Sequence, residues 1–159
     1  MVHRAAAQWG SLLIAGAFVL DQATKALAMA SGEALTPGIE VLPFFNLVLT
    51  RNTGVTFGMF AGQALGQWPL ILFTGAVVAV LIVWLTRAYN ARQAAALGAI
   101  IGGALGNIPD RFRLGGVTDF LDFHLAGYHW PAFNFADSAI VIGVATLILT
   151  EAVEKQPRS

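Results

Sequence analysis

Cysteine is absent from the 159-residue chain, which excludes disulfides, thiolate nucleophiles and Cys-based metal sites while leaving the redox compartment open. Charge is scarce too, with only 11% of residues Asp, Glu, Lys or Arg. Nine basic residues face nine acidic ones, and without a positive excess a polyanion such as nucleic acid is not an expected partner. There is no internal repeat, low-complexity tract or linker. What is abundant is apolar surface: 57% hydrophobic residues and a mean hydropathy of +0.69, values a soluble domain of this size rarely reaches. A spanning helix needs roughly 20 apolar residues, so the chain has room for about four spans and little else. One integral membrane domain over residues 1–159 is expected, with lipid as its main environment.

The clearest span is 68–86, "WPLILFTGAVVAVLIVWLT", uncharged and edged by Trp68 and Trp84 at positions suited to interfacial aromatic belts. A second runs over about 136–153, with Asp137 in its first turn and Glu151 in its last. A third, about 94–112, carries Gly98, Gly102 and Gly106 at four-residue intervals, a smooth stripe that lets a neighbouring backbone approach and places this helix inside the bundle. The first, 9–30, has a competing reading as a cleavable signal peptide, because Arg4, the apolar run from Leu12 and "AMAS" at 28–31 imitate one. Asp21 and Lys25, one helical turn apart, argue for a retained helix in which they pair.

Four spans put both termini on one side and residues 31–67 and 113–134 on the other. Five of the nine basic residues fall on the first side, a weak preference for cytoplasmic termini. The 31–67 segment mixes β-branched and aromatic residues with Pro43, Gly54 and Gly58, and reads as a small strand-rich platform at the membrane surface. The fold class is therefore mainly α, a four-transmembrane-helix bundle with a small β-rich extracytoplasmic segment.

Ionisable residues at membrane depth are costly unless paired, so each is a candidate for function. In "GNIPDR", Asn107, Asp110 and Arg111 share one helical face, and Pro109 lacks the amide that would bond to Leu105. The plain alternative is a helix terminus with a local ion pair. Asp137 follows Asn134 by three residues and could simply belong to an N-cap, while Asp119 and Asp122 could be solvated loop residues. Their combination at the mouths of neighbouring spans points further. Two carboxylates held close share a proton, so one serves as base and the other as acid, as aspartic peptide hydrolysis requires. His3, His124 and His129 lack zinc-site spacing, and the last two read as interfacial loop residues. A small transporter or proton channel and a purely structural subunit are the competing classes; the first needs polar residues spread through several spans, and the second leaves the aspartates unexplained.

The motifs "DQATK" (21–25), "NTGVTFG" (52–58), "GNIPDR" (106–111), "VTDF" (117–120) and "FNFADS" (133–138), in this order on four predicted spans, resemble lipoprotein signal peptidase, the bacterial signal peptidase II family of intramembrane aspartic proteases. The resemblance covers nearly the whole chain. It implies that Asp119 and Asp137 are the catalytic pair, that Asn52, Asn107, Arg111 and Asn134 line the site, and that Asp21 and Lys25 support it from the first helix. Asp122 is the rival to Asp119, one helical turn beyond the family's position. Val55 and Thr56 stand where the family has small alanines, and Pro109 is unusual in "GNIPDR". The implied substrate is a diacylglyceryl-modified prolipoprotein, cut before its lipidated cysteine. The resemblance implies no metal or organic cofactor, a monomer, and a multi-pass protein of the bacterial inner membrane with cytoplasmic termini and a site toward the outer leaflet.

Overall fold

The computed structural model describes residues 2–54 and 66–154; the expectations for Val55, Thr56 and the tail after Glu154 lie outside them. Eight elements follow in order: α1 (Val2–Ala30), β1 (Ile39–Leu42), β2 (Phe45–Asn52), α2 (Trp68–Leu85), α3 (Ala91–Leu114), β3 (Val117–Leu125), β4 (Tyr128–His129) and α4 (Phe135–Glu154). The four expected helices are present. Helix α1 begins before residue 9 because Ala5, Ala6 and Ala7 are strong helix formers that extend it beyond the apolar run. Helix α3 is longer at both ends: the Asn90 side chain caps it by accepting from the Gln93 amide at 2.7 Å, and Gly115 ends it in the left-handed region (φ 69°).

Three helices, Gln8–Ala30 of α1, α2 and α4, are long and apolar enough to cross a membrane. Helix α3 is long enough but too polar by that measure, since its last turns hold Asn107, Asp110, Arg111 and Arg113. It is instead the centre of the bundle, packed against the other three. Leu97 and Ile101 are fully buried there, whereas Leu72, Phe73 and Val80 of α2 face outward, as residues in contact with lipid do. The glycine stripe explains the close packing. A Cβ at Gly102 would lie 2.6 Å from the Ile14 carbonyl oxygen of α1, and one at Gly106 2.5 Å from the Asp21 carboxylate. The other side of α3 meets α4 in the same way, Gly143 lying over the Ala96 carbonyl. Helix α1 is thus seated along α3, and cleavage after "AMAS" would remove its buried Asp21 and Lys25.

The sheet corrects the expected platform. It is antiparallel in the order β1-β2-β3-β4, and its second half comes from the 113–134 segment, which the sequence did not mark as strand. Its underside rests on α1 through Ala28, Leu35 and Phe120. A two-residue turn with positive φ at Ala126 (49°) and Gly127 (82°) joins β3 to β4, the backbone geometry that matches the twist of a hairpin. After β4 the chain returns to β3: Phe133 exchanges backbone hydrogen bonds with Leu121, at 2.9 and 3.0 Å. This brings the start of α4 beside the middle of β3.

Candidate active site

Asp119 comes from β3 and Asp137 from the first turn of α4, and the return of the chain at Phe133 sets Asn134 between them. Asn134 is fully buried. Its Nδ2 donates to Asp119 Oδ1 at 2.7 Å, and its backbone amide donates to Asp137 Oδ2 at 3.2 Å. The Asp137 amide in turn donates to Asn134 Oδ1 at 3.0 Å, which makes Asn134 the N-cap and Asp137 the third helical residue of a reciprocal capping box. The capping reading of "NFAD" is therefore correct as far as it goes. It accounts for one oxygen of Asp137; the other accepts from Asn107 Nδ2 at 2.9 Å.

Helices α1 and α3 supply the layer behind. Lys25 is 1% exposed and Asp21 0%, and a lysine so deeply enclosed has to be matched on every side. Its Nζ meets Asp21 Oδ2 at 2.9 Å, Asn107 Oδ1 at 2.8 Å, the Gly106 carbonyl at 3.2 Å and Asp110 Oδ2 at 3.4 Å. An ammonium can only donate, so Asn107 has to turn its oxygen to Lys25 and its NH2 to Asp137. Asp21 reaches across the bundle, where its Oδ1 accepts from the Ala136 amide of α4 at 3.0 Å. That occupies a backbone donor left free at a helix N-terminus and adds negative charge where the helix dipole favours it. The carbonyl that receives side-chain donors beside Pro109 is that of Gly106, bonded by Lys25 and Gln22, one residue after the Leu105 carbonyl that the missing proline amide singles out.

Every site residue expected from the sequence lies in or beside this network. Arg111 donates from Nη1 to the Asn107 carbonyl at 3.3 Å, has a buried Nε with no partner among the described residues, and faces Asp137, Asp119 and Asp110. Asn52 sits at the end of β2, opposite Val117; its Oδ1 accepts from the Gly54 amide at 2.8 Å, and its side chain is near enough to Asp119 to favour the charged carboxylate. Two contributors were missed. Asp110 stood in the polar cluster of "GNIPDR" but received no place in the site; it accepts from the Thr118 amide at 2.9 Å and so pins β3 next to Asp119. Gln22 bonds both Asp21 and Gly106, and its position beside Asp21 in "DQATK" was the only signal.

Burial pushes the Asp119 carboxyl up to about 6, with the negative charge of Asp137 adding to the rise and hydrogen bonds from Asn52 and Asn134 opposing it. Asp119 is thus the member of the pair that holds a proton more readily than an ordinary aspartate.

Asp122 is no helical turn beyond Asp119, because both lie on a strand, where positions three apart face opposite sides of the sheet. Asp122 accepts from Asn46 at 3.0 Å and pairs with His129 at 2.8 Å. Burial works to raise it, but the hydrogen bonds from His129 and Asn46 outweigh burial and keep it below the usual carboxylate range. His124 and His129 are likewise strand residues, directly paired across the hairpin with rings stacked 4.9 Å apart. Among the described residues no group of His, Asp and Glu is arranged to hold a metal. Asp122→Asn is expected to weaken the hairpin by about 1 kcal/mol, the usual net worth of a hydrogen bond. A melting curve of the variant beside that of the unsubstituted protein would show the loss.

Comparison with known proteins agrees with this geometry. The family model described as signal peptidase (SPase) II matches residues 13–153. A lipoprotein signal peptidase of Beijerinckia indica is 46% identical over 134 residues, covering 82% of this chain and 80% of the relative. One of Aeromonas hydrophila is 44% identical over 150 residues, covering 92% and 89%. Among solved structures, a bacterial membrane enzyme determined by the in meso method superposes with a TM-score of 0.76 at 30% identity, covering 89% of this chain and 91% of that one. A second, similarly described, gives 0.69 at 28% identity, covering 94% and 93%. Apolar helices around a buried polar site, with these relatives, define a peptidase integral to the membrane. Within that class, the chain belongs to the signal peptidase II family, the lipoprotein signal peptidases.

Proposed function

We propose that this chain removes the signal peptide of diacylglyceryl-modified prolipoproteins, cutting before the lipidated cysteine, with Asp119 and Asp137 activating water between them. The observation that carries the reading is Asn134, which bonds both carboxylates at once and gives each a fixed orientation. Asp137, half-buried and reachable, takes a proton from water as its oxygen attacks the scissile carbonyl carbon. Asp119, deeply buried, delivers its own proton to the carbonyl oxygen. When the C–N bond breaks, the proton on Asp137 passes to the departing amine of the cysteine, and collapse of the gem-diol returns one to Asp119. Arg111 faces both carboxylates and is suited to hold the substrate backbone beside them.

In this reading all four helices span the inner membrane, with α3 tolerated as a span because its polar groups are matched inside the bundle. Both termini lie in the cytoplasm, and the sheet and the aspartates lie toward the outer leaflet. A proton channel is disfavoured by α3 itself. Its second polar cluster, where Gln93 donates to Glu151 at 2.7 Å, is separated from Asn107 by residues 94–106, all Ala, Leu, Gly or Ile.

Purified protein incubated in detergent with a diacylglyceryl-modified prolipoprotein and its unmodified precursor tests the assignment. Mass spectrometry should find a cut before the cysteine in the modified form only; equal cleavage of both, or of neither, would refute it. The same assay carries a pH prediction. Cleavage needs Asp119 protonated, so kcat/KM should fall as pH rises through about 6. The Asn52 side chain favours the charged carboxylate, so Asn52→Ala should raise the Asp119 pKa and move that limb to higher pH.

A further inference from the structure

A groove of 450 Å³ opens at Asp137 and runs outward between the hairpin and α4, lined by Trp130, Phe133, Asp137, Ser138, Val141 and Ile142. Its size is within the range of about 300–1,000 Å³ common for small-molecule sites. The polar members, Asp137 and Ser138, lie at one end. The rest is apolar, and Val141 and Ile142, two-thirds exposed, continue onto the outward face of α4 that meets lipid. Trp130, 71% exposed and fixed by its backbone bond to Phe123 at 2.8 Å, forms the opposite lip.

Resting on the proposed function, we infer that this groove takes an acyl chain of the substrate's diacylglyceryl group and thereby sets the register of the scissile bond. The lipid hangs from the residue that follows that bond, so its chains must leave the site from within a few bonds of Asp137. This groove touches that aspartate, is apolar along its length and merges with the lipid-facing surface. Hydrocarbon gains little by moving from bilayer to groove, because both are equally apolar. The groove therefore contributes position rather than affinity, holding the reacting carbonyl at the aspartates.

The test compares two lipid-modified prolipoprotein peptides of one sequence, one with long acyl chains and one with short, cleaved by the full-length protein in detergent. Ile142→Trp narrows the groove and should lower the long-to-short ratio of kcat/KM by roughly tenfold or more, the scale of penalty for a misplaced reacting group. Trp130→Ala, at an exposed position with little bearing on folding, removes the opposite lip and should lower the same ratio. A fall that is equal for both peptides would assign the groove to the apolar helix of the signal peptide and overturn the inference. No change with either variant would assign it to ordinary membrane lipid and overturn it as well. In both cases the unsubstituted protein still cleaves, so the proposed function stands; a protein that cleaves neither peptide overturns both.

Discussion

Replacing Asp119 or Asp137 with asparagine is expected to slow prolipoprotein cleavage by on the order of a thousandfold or more, the scale of losing a positioned general acid or base. Folding should survive both changes. In Asp119→Asn the new amide oxygen can still accept from Asn134 Nδ2, and in Asp137→Asn an oxygen remains for the capping box. The N-cap, Asn134, is unchanged, and within the capping box the substitution at the third helical position touches only the reciprocal hydrogen bond, worth about 1 kcal/mol. Turnover collapsing while the melting temperature holds would separate the chemistry proposed for Asp137 from its part in the capping box. Cleavage persisting in either variant would remove that residue from the pair.

The second large effect belongs to Lys25. Lys25→Met keeps the length and apolar stem of the side chain but leaves Asp21 and Asp110 buried without their cation. Breaking a buried pair by removing one partner costs about 3–5 kcal/mol. A clear drop in melting temperature in detergent is the expected result. Adding Asp21→Asn should restore part of it, because the stranded charge is gone. Activity should not return with stability, since Asn107 is then free to rotate its NH2 away from Asp137. A double variant that recovers both would show that Lys25 acts through the fold alone and does not orient the site.

The helices were legible because their signals are local: long apolar runs, Asn134 as a cap, and a glycine every fourth residue in α3. The aspartates were legible because a charge in so apolar a chain stands out. What the sequence hid was the second half of the sheet. "VTDFLDFHL" carries two aspartates and a histidine, a composition that looks like loop until its partner strand β2 and the bridge to Phe133 are seen. That omission is also why Asp122 remained a rival. With a helical spacing it would sit near Asp119; with a strand's it faces the other side. The orientation of Asn107 was equally beyond reach, because it depends on a lysine 82 residues away in sequence.

The catalysis proposed for Asp119 and Asp137 requires that the two carboxyl groups feel each other's charge. Infrared spectroscopy of the carboxylic acid carbonyl stretch across a pH series tests this most directly, with Asp119→Asn identifying the Asp119 band. A band that titrates near 6 is expected in the unsubstituted protein. In Asp137→Asn it should titrate at lower pH, because the neighbouring negative charge that raises it is gone. A band that titrates at the same pH in both proteins would mean that the two aspartates do not interact, and would contradict their assignment as one catalytic unit.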